Sequence, residues 1–325
     1  MSYFDQENEE DPGGKNFLSK ITPYLLGLSK NSIAIKKQFI PSEEERYNSS
    51  KVSNDPLCED VFTKTKGLVY KYSSRALIEL TLECAAYCRF CTRKRKVGEI
   101  KKGQLTKNDI EAMLKYVQSQ PKINEVVFSG GDPFMAPNLL AYSLNEFSKL
   151  AQIKILRIHT RVPVSDPNLV DPKVINAIAK IKNQPIYLSL HFEHPDEITA
   201  PVIKVVSRLR GAGAILLSQS VFLKGVNDDY EVLKELFNRL VELGIRPYYL
   251  YRCDPVVGSE HFIVPFDKEI EIMTKLRKEL SGIACPTYVI DTPNGSGKIP
   301  VPLNFWQFDK KSFTDYNDKE IKIID

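Results

Sequence analysis

Cys84, Cys88 and Cys91 stand in a C-x3-C-x2-C run within LTLECAAYCRFCTRKR, residues 80–95, directly after the apolar stretch 76–82. Three thiolates this close can face one soft metal centre, and iron–sulfur clusters are the usual occupants of such runs. A four-iron cluster held by three cysteines keeps one iron without a protein ligand, and a small molecule can coordinate there. A structural zinc takes four closed ligands instead. His159 is the first Cys or His downstream of the run, so the ligand count favours the cluster.

A second reactive stretch is YVIDTPNGSGKIP, residues 288–300, in which a strand-like run ends in Asp291 and a Gly/Ser/Asn-rich loop delivers Lys298. A lone lysine on such a loop is ordinarily a solvated charge. A lysine that forms a Schiff base with pyridoxal phosphate (PLP) and later swings away from it benefits from the same loop. A phosphate would then need partners, and Lys71, Tyr72 and Arg75 lie just before the first strand of the main repeat. Ser129-Gly130-Gly131-Asp132-Pro133 offers two glycines after a strand, where backbone can approach a ligand without a Cβ in the way. Arg93 presents a fork that matches a carboxylate. Asp254 and Asp291, from separate strand ends, make an anionic pocket best filled by a cation. A substrate with a carboxylate at one end and an ammonium at the other satisfies all three; glutamate would need a neutral or cationic group where the two aspartates stand.

These residues need a scaffold that brings distant segments together. Beyond residue 75, β-branched apolar runs alternate with amphipathic runs of helical period, the signal of a parallel sheet with crossover helices. The expected strands are 76–82, 125–129, 154–159, 185–191, 214–221 and 247–252. Thr106 to Asp109 reads as a capping box, Asp171-Pro172 as an N-cap before Pro at N1, and Gly211, Gly213 and Gly244 sit where helix C-caps belong. Six βα units are too few for a closed eight-stranded barrel, and a doubly wound open sheet competes. Every unusual polar residue falls at or just after a strand's C-terminal end, from the Cys run to Arg161, His191, Gln219 and Asp254. That distribution favours a barrel-like arrangement with its site on one face.

Taken together, the ordered stretches CAAYCRFCTRKR, VVFSGGDP, RIHTRVPV, HFEHPDEIT, SQSVFLKGVND, RPYYLYRCDPVVGSEHF and VIDTPNGSGK resemble the lysine 2,3-aminomutase family of radical S-adenosylmethionine (SAM) enzymes. The likeness runs from about Thr22 to Pro302. It implies an α/β fold, a partial six-stranded (β/α)6 TIM-like radical-SAM barrel with a helical N-terminal extension and a short C-terminal segment. The expected division is a disordered leader at 1–21, a helical segment at 22–75 contributing PLP contacts, the barrel at 76–286, and a C-terminal segment at 287–325. By the same resemblance Cys84, Cys88 and Cys91 hold a [4Fe-4S] cluster whose open iron is chelated by SAM. Ser129, Gly130, Gly131 and Asp132 would hold the SAM amino end, and His191 and Gln219 its ribose or adenine side. Lys298 would carry PLP, with Lys71, Tyr72, Arg75 and Tyr251 around it. Arg93 would take the substrate carboxylate, and Asp254 with Asp291 its side-chain ammonium. The implied reaction moves the α-amino group of L-lysine to the β-carbon, with a flavodoxin or ferredoxin as electron donor and a homo-oligomer as the assembly. Arginine and ornithine are neighbouring substrates, and the branch that makes β-lysine for elongation factor P is a rival. Many family members carry further Cys ligands for a structural zinc. Here Asp228-Asp229 follows Gly225-Val226-Asn227 and residues 303–325 contain no Cys, which leaves that zinc without its usual ligands.

Composition fits these readings. With 325 residues, 42% of them apolar, the chain can bury a large core. Lys and Arg exceed Asp and Glu only by 45 to 41, which argues against a non-catalytic metal- or RNA-binding module built on the basic run 93–96. Six Cys, three of them clustered, suit a reducing cytoplasmic setting rather than a disulfide framework.

Overall fold

The alternation beyond residue 75 becomes a curled sheet in the computed structural model, which describes residues 18–293 and 295–323. Its strands are β1 (Thr63–Thr65), β2 (Leu68–Tyr72), β3 (Arg75–Thr81), β4 (Glu125–Gly130), β5 (Ile155–Thr160), β6 (Ile186–His191), β7 (Ile215–Val221), β8 (Arg246–Tyr251), β9 (Thr287–Asp291) and β10 (Lys298–Pro300). They neighbour one another in chain order. From β3 to β9 every pairing is parallel, while β1, β2 and β10 add antiparallel pairs at the two edges. Most of the expected leader, residues 1–17, lies outside the described residues.

The six expected strands appear as β3 to β8. The run ending in Asp291 is a seventh parallel strand, with Tyr249 opposite Thr287 and Tyr251 opposite Val289. The helix Phe266–Glu279 supplies its crossover. Residues 63–72, expected within a helical segment, form β1 and β2 instead. Thr63, Thr65 and Val69 are β-branched, and Gly67, at φ 75°, makes the turn between the strands. Ahead of them lie the short helices Pro23–Ser29 and Ile33–Phe39, capped by Thr22 and Ser32, and a single turn, Glu59–Phe62. The tail forms a small antiparallel sheet of Trp306–Gln307, Ser312–Thr314 and Glu320–Lys322. Lys311 and Asp318 adopt left-handed conformations beside its strands, and Lys278 Nζ holds Asp318 at 2.6 Å.

Helix signals read from sequence correspond to real caps, except Gly211, which is the last residue inside the helix Ala200–Gly211. Thr106 and Asp109 form a reciprocal capping box, and Asp171 accepts from Lys173 N ahead of Pro172. Gly213 and Gly244 sit past their helix ends at φ 96° and 74°. Asp228 accepts from Gly225 N at 2.6 Å and pairs with Lys268 at 2.7 Å, fixing the turn after β7. Among the described residues no helix is long and apolar enough to cross a membrane.

Side chains alternate across a strand, so each strand feeds two compartments. Along β5, Leu156 and Ile158 are fully buried in the main core with Leu144, Phe147 and Val174. Arg157 and His159 point the other way, into a cavity. The sheet curls until its edges approach each other: a Cβ on Gly297, just before β10, would lie 3.9 Å from the Tyr72 ring on β2. Residues far apart in the strand order thereby face one space.

Candidate active site

That space is a cavity of about 330 Å³ bordered by Cys84, Cys88 and Cys91 and by Lys298. Every other residue singled out in the sequence also borders it: Lys71, Tyr72, Arg75, Arg93, Ser129, Gly130, Gly131, Asp132, His191, Gln219, Tyr251, Asp254 and Asp291. The sequence reading passed over Glu59 and Arg157, weighed His159 only as a further metal ligand and gave Arg161 no role, yet all four line the cavity.

The three thiols are free. Arg161 Nη1 donates to Cys88 Sγ at 2.8 Å, and the Arg93 backbone N–H donates to Cys91 Sγ at 3.3 Å. Donors aimed at sulfur suit thiolate ligands. Burial pushes all three thiols up, Cys88 to about 11, so they ionise when a metal takes up the charge. Among the described residues no group of three His, Cys, Asp or Glu closes on the point a single ion would occupy. A multi-iron cluster distributes its ligands over several irons rather than gathering them on one. Three neighbouring thiols, two of them with N–H donors aimed at sulfur, are a donor set that fits a cluster with three protein ligands.

Arg161 is anchored on every side. It pairs with Glu197 at 2.9 Å, bonds Gln38, and lies 4.7 Å from the Phe39 ring and 5.4 Å from the Phe90 ring. Its backbone N–H and that of Val162 donate to Asp132 Oδ2 at 2.7 and 3.0 Å, while Thr160 Oγ1 and Phe134 N donate to Oδ1 at 2.7 and 3.0 Å. Asp132 thus ties the ends of β4 and β5 together through its carboxylate while bordering the cavity. The two glycines also answer to the protein's own backbone. A Cβ on Gly130, at φ 115°, would lie 2.4 Å from Thr81 O, and one on Gly131 would lie 2.4 Å from Glu83 O. Only glycine lets the end of β4 lie flat on the loop that carries Cys84.

At the other end, β9 and β10 pair with Lys298 directly opposite Asp291. Lys298 Nζ bonds both carboxylate oxygens, at 2.7 and 2.6 Å, and stands 4.9 Å from the centre of the Tyr251 ring. The connection is pinned by Thr292 N to Gly297 O at 2.9 Å, so the lysine begins a strand rather than tipping a loose loop. Among the described residues no cation pairs with Asp254 in this way. Burial, then the neighbouring Asp291, raise its carboxyl to about 7 against the opposing pull of Lys298 and Lys71. Burial lowers Lys71, with Asp291 opposing. Arg75 stacks 4.1 Å from the Tyr72 ring.

The middle of the cavity is lined by neutral and basic groups. His191 and Gln219 are register partners on β6 and β7. Burial, with help from Arg161, lowers His191 to about 4, and burial holds His159 well below its ordinary value. Both imidazoles are neutral at pH 7. His159, considered in the sequence as a fourth metal ligand, leaves its Nε2 without a partner among the described residues. Arg157 pairs with Glu125. Alternation within ILRIHT, residues 155–160, is the signal that would have found both: two polar side chains share one face of an otherwise apolar strand. Arg93 does not wait empty for a substrate, because Glu59 holds it at 2.8 and 2.5 Å.

Residues 78–252 match the Radical SAM superfamily. The chain is 38% identical over 311 residues to the L-lysine 2,3-aminomutase of Acetoanaerobium sticklandii, covering 93% of this chain and 74% of that protein. It is 37% identical over 311 residues to the enzyme of the same name from Clostridium subterminale, with the same coverage. The glutamate 2,3-aminomutase of Clostridioides difficile is 32% identical over 292 residues, covering 89% of this chain and 68% of that protein. Among solved structures, a radical SAM methyltransferase from Sphaerobacter thermophilus superposes with a TM-score of 0.50 at 16% identity, covering 69% of this chain and 68% of that one, which is a likeness of fold.

Proposed function

The chain belongs to the radical SAM superfamily and, within it, to the 2,3-aminomutase family, and from that premise we propose that it converts L-lysine to β-lysine by moving the α-amino group to the β-carbon. The observation that carries the choice of lysine over glutamate is the carboxylate pair Asp254 and Asp291, which line the cavity together, with Asp291 helping to raise the Asp254 carboxyl. A side-chain carboxylate placed there would meet two like charges, whereas an ammonium is attracted by both.

Cys84, Cys88 and Cys91 would hold the cluster, Lys298 the PLP carbonyl carbon, and Lys71 with Arg75 the PLP phosphate. When bound, the cluster with SAM supplies a carbon-centred radical, and PLP supplies a conjugated system that spreads the unpaired electron during amino migration. The chain's share is positioning and exclusion of water. Arg93 fixes one end of the substrate, and Asp254 with Asp291 fixes the other. Lys298 is the cation on Asp291 in this structure. A substrate ammonium takes its place there once Nζ moves away. The first electron is assigned to a flavodoxin- or ferredoxin-class donor.

Anaerobic incubation with SAM, PLP, a reductant and either lysine, arginine, ornithine or glutamate is expected to give β-lysine as the main product. Turnover of glutamate in preference to lysine would overturn the reading. Asp254 sets the pH dependence. Its carboxyl is raised to about 7, so it carries charge above that pH and loses it below. kcat/KM for lysine is expected to climb between pH 5.5 and 8, roughly tenfold per unit on the acid side. Asp254→Asn should flatten that limb at a low value. A wild-type profile without inflection near 7 would remove Asp254 from ammonium binding.

A further inference from the structure

We propose that Glu59 is a positioning residue for capture of the substrate carboxylate, locking the Arg93 guanidinium in place so that it meets the substrate with a single N–H to spare. This rests on the reading of Arg93 as the carboxylate-binding residue. A guanidinium has five N–H donors. In Arg93, Nε donates to Glu59 Oε2 at 2.8 Å and Nη2 to Glu59 Oε1 at 2.5 Å. Nη1 donates to Ser129 Oγ at 3.0 Å and to Gly130 O at 3.2 Å. Four of the five are committed, and the fifth is the second N–H of Nη2. While Glu59 stays in place, the two-pronged fork expected from the sequence is closed to a substrate.

The arrangement has the marks of a fixed mount. Glu59 and Arg93 keep 9% and 16% of their side-chain surface exposed, and Glu79 stands 3.5 Å from Arg93 Nε. Burial alone would raise the Glu59 carboxyl, but the charge and hydrogen bonds of Arg93 hold it below its ordinary value. Glu59 is itself held by its backbone: its N–H and that of Asp60 donate to the Asp55 carboxylate at 3.1 and 3.2 Å. The residues just before it touch the lysine hairpin. Cys58 Sγ donates to Pro293 O at 3.4 Å, and a Cβ on Gly295 would lie 2.9 Å from Leu57 O. One short segment therefore spans the group that meets the substrate carboxylate and the hairpin that presents Lys298. A long, flexible arginine held this way loses little further freedom on binding.

The test compares L-lysine with 1,5-diaminopentane, which keeps both amines and lacks the carboxylate. Glu59→Gln, reconstituted with iron, sulfide, PLP and SAM, is assayed for kcat and KM, and both ligands are titrated against the PLP absorbance. The amide offers Arg93 one acceptor where the carboxylate offered two, so the guanidinium loses its mount. KM for lysine and its Kd are expected to rise roughly ten- to a hundredfold, with a smaller fall in kcat, and diaminopentane affinity is expected to stay within about twofold. Glu59→Asp keeps the charge but retracts it, and is expected to move in the same direction by about three- to tenfold at full iron content, which covers the case in which the amide variant fails to load. Equal losses for lysine and diaminopentane would make Glu59 a general structural support and overturn the proposal. Unchanged or tighter lysine binding would also overturn it, by making Glu59 a spectator or a competitor. If the wild-type enzyme binds lysine no better than diaminopentane, the assignment of Arg93 itself fails.

Discussion

An enzyme in which Lys298 is replaced by arginine is expected to retain its iron and its basal cleavage of SAM while losing the imine absorbance of PLP. Arginine keeps a cation against Asp291, where Lys298 Nζ now sits at 2.6 and 2.7 Å, so the variant separates charge pairing from covalent attachment. A guanidinium stays protonated and is a poor nucleophile, so no imine forms. Amino migration is expected to fall roughly a thousandfold or more. The cluster loop follows β3, whereas Lys298 opens β10 at the far edge of the sheet, which is why iron content should be untouched. Lys298→Ala should lose the imine in the same way and, in addition, strip a nearly buried carboxylate of its cation. Retention of both the imine band and turnover in Lys298→Arg would assign PLP to a different lysine.

Cys88→Ala is expected to do the reverse: the PLP band survives, and iron loading and SAM cleavage fall to background. Cys88 is the cysteine whose sulfur receives the Arg161 guanidinium. Arg161 retains Glu197, Gln38 and two aromatic faces when the sulfur is removed, so the surrounding fold should hold. Iron and sulfide analysis with product detection of cleaved SAM reads the effect directly; visible absorbance alone does not, because PLP and clusters absorb in the same region. Undiminished SAM cleavage in this variant would remove Cys88 from the ligand set.

The residues proposed to do chemistry stood out in the sequence because their patterns are local. The cysteines lie within eight positions, and the lysine lies seven positions past its aspartate. Periodicity of apolar residues was equally local, so β3 to β8 were readable. What escaped depends on distance along the chain. Arg161 draws its meaning from Gln38, Cys88 and Glu197, and Glu59 from Arg93 thirty-four residues later. No window of sequence contains those pairs. Asp132 was visible as part of a glycine turn, but its four backbone and hydroxyl donors come from the start of the next turn and the end of β5. A motif shows that a carboxylate is needed at a place without showing which groups claim it. Strand β9 was seen as a strand and set apart from the barrel, since nothing local says with which neighbour an apolar run will pair.

The hairpin that joins β9 to β10 places a constraint on length rather than on composition. Asp291 and Lys298 face each other across the ladder, and Ile290 faces Ile299 on the opposite side of it. Successive residues of a strand point to opposite faces, so inserting or removing one residue before Lys298, with the pairing otherwise kept, turns its amine outward and brings a neighbour inward. The Lys298 amine is aimed into the cavity by an even-odd count along the chain, and that count is what an evolving or engineered hairpin has to preserve to keep it there.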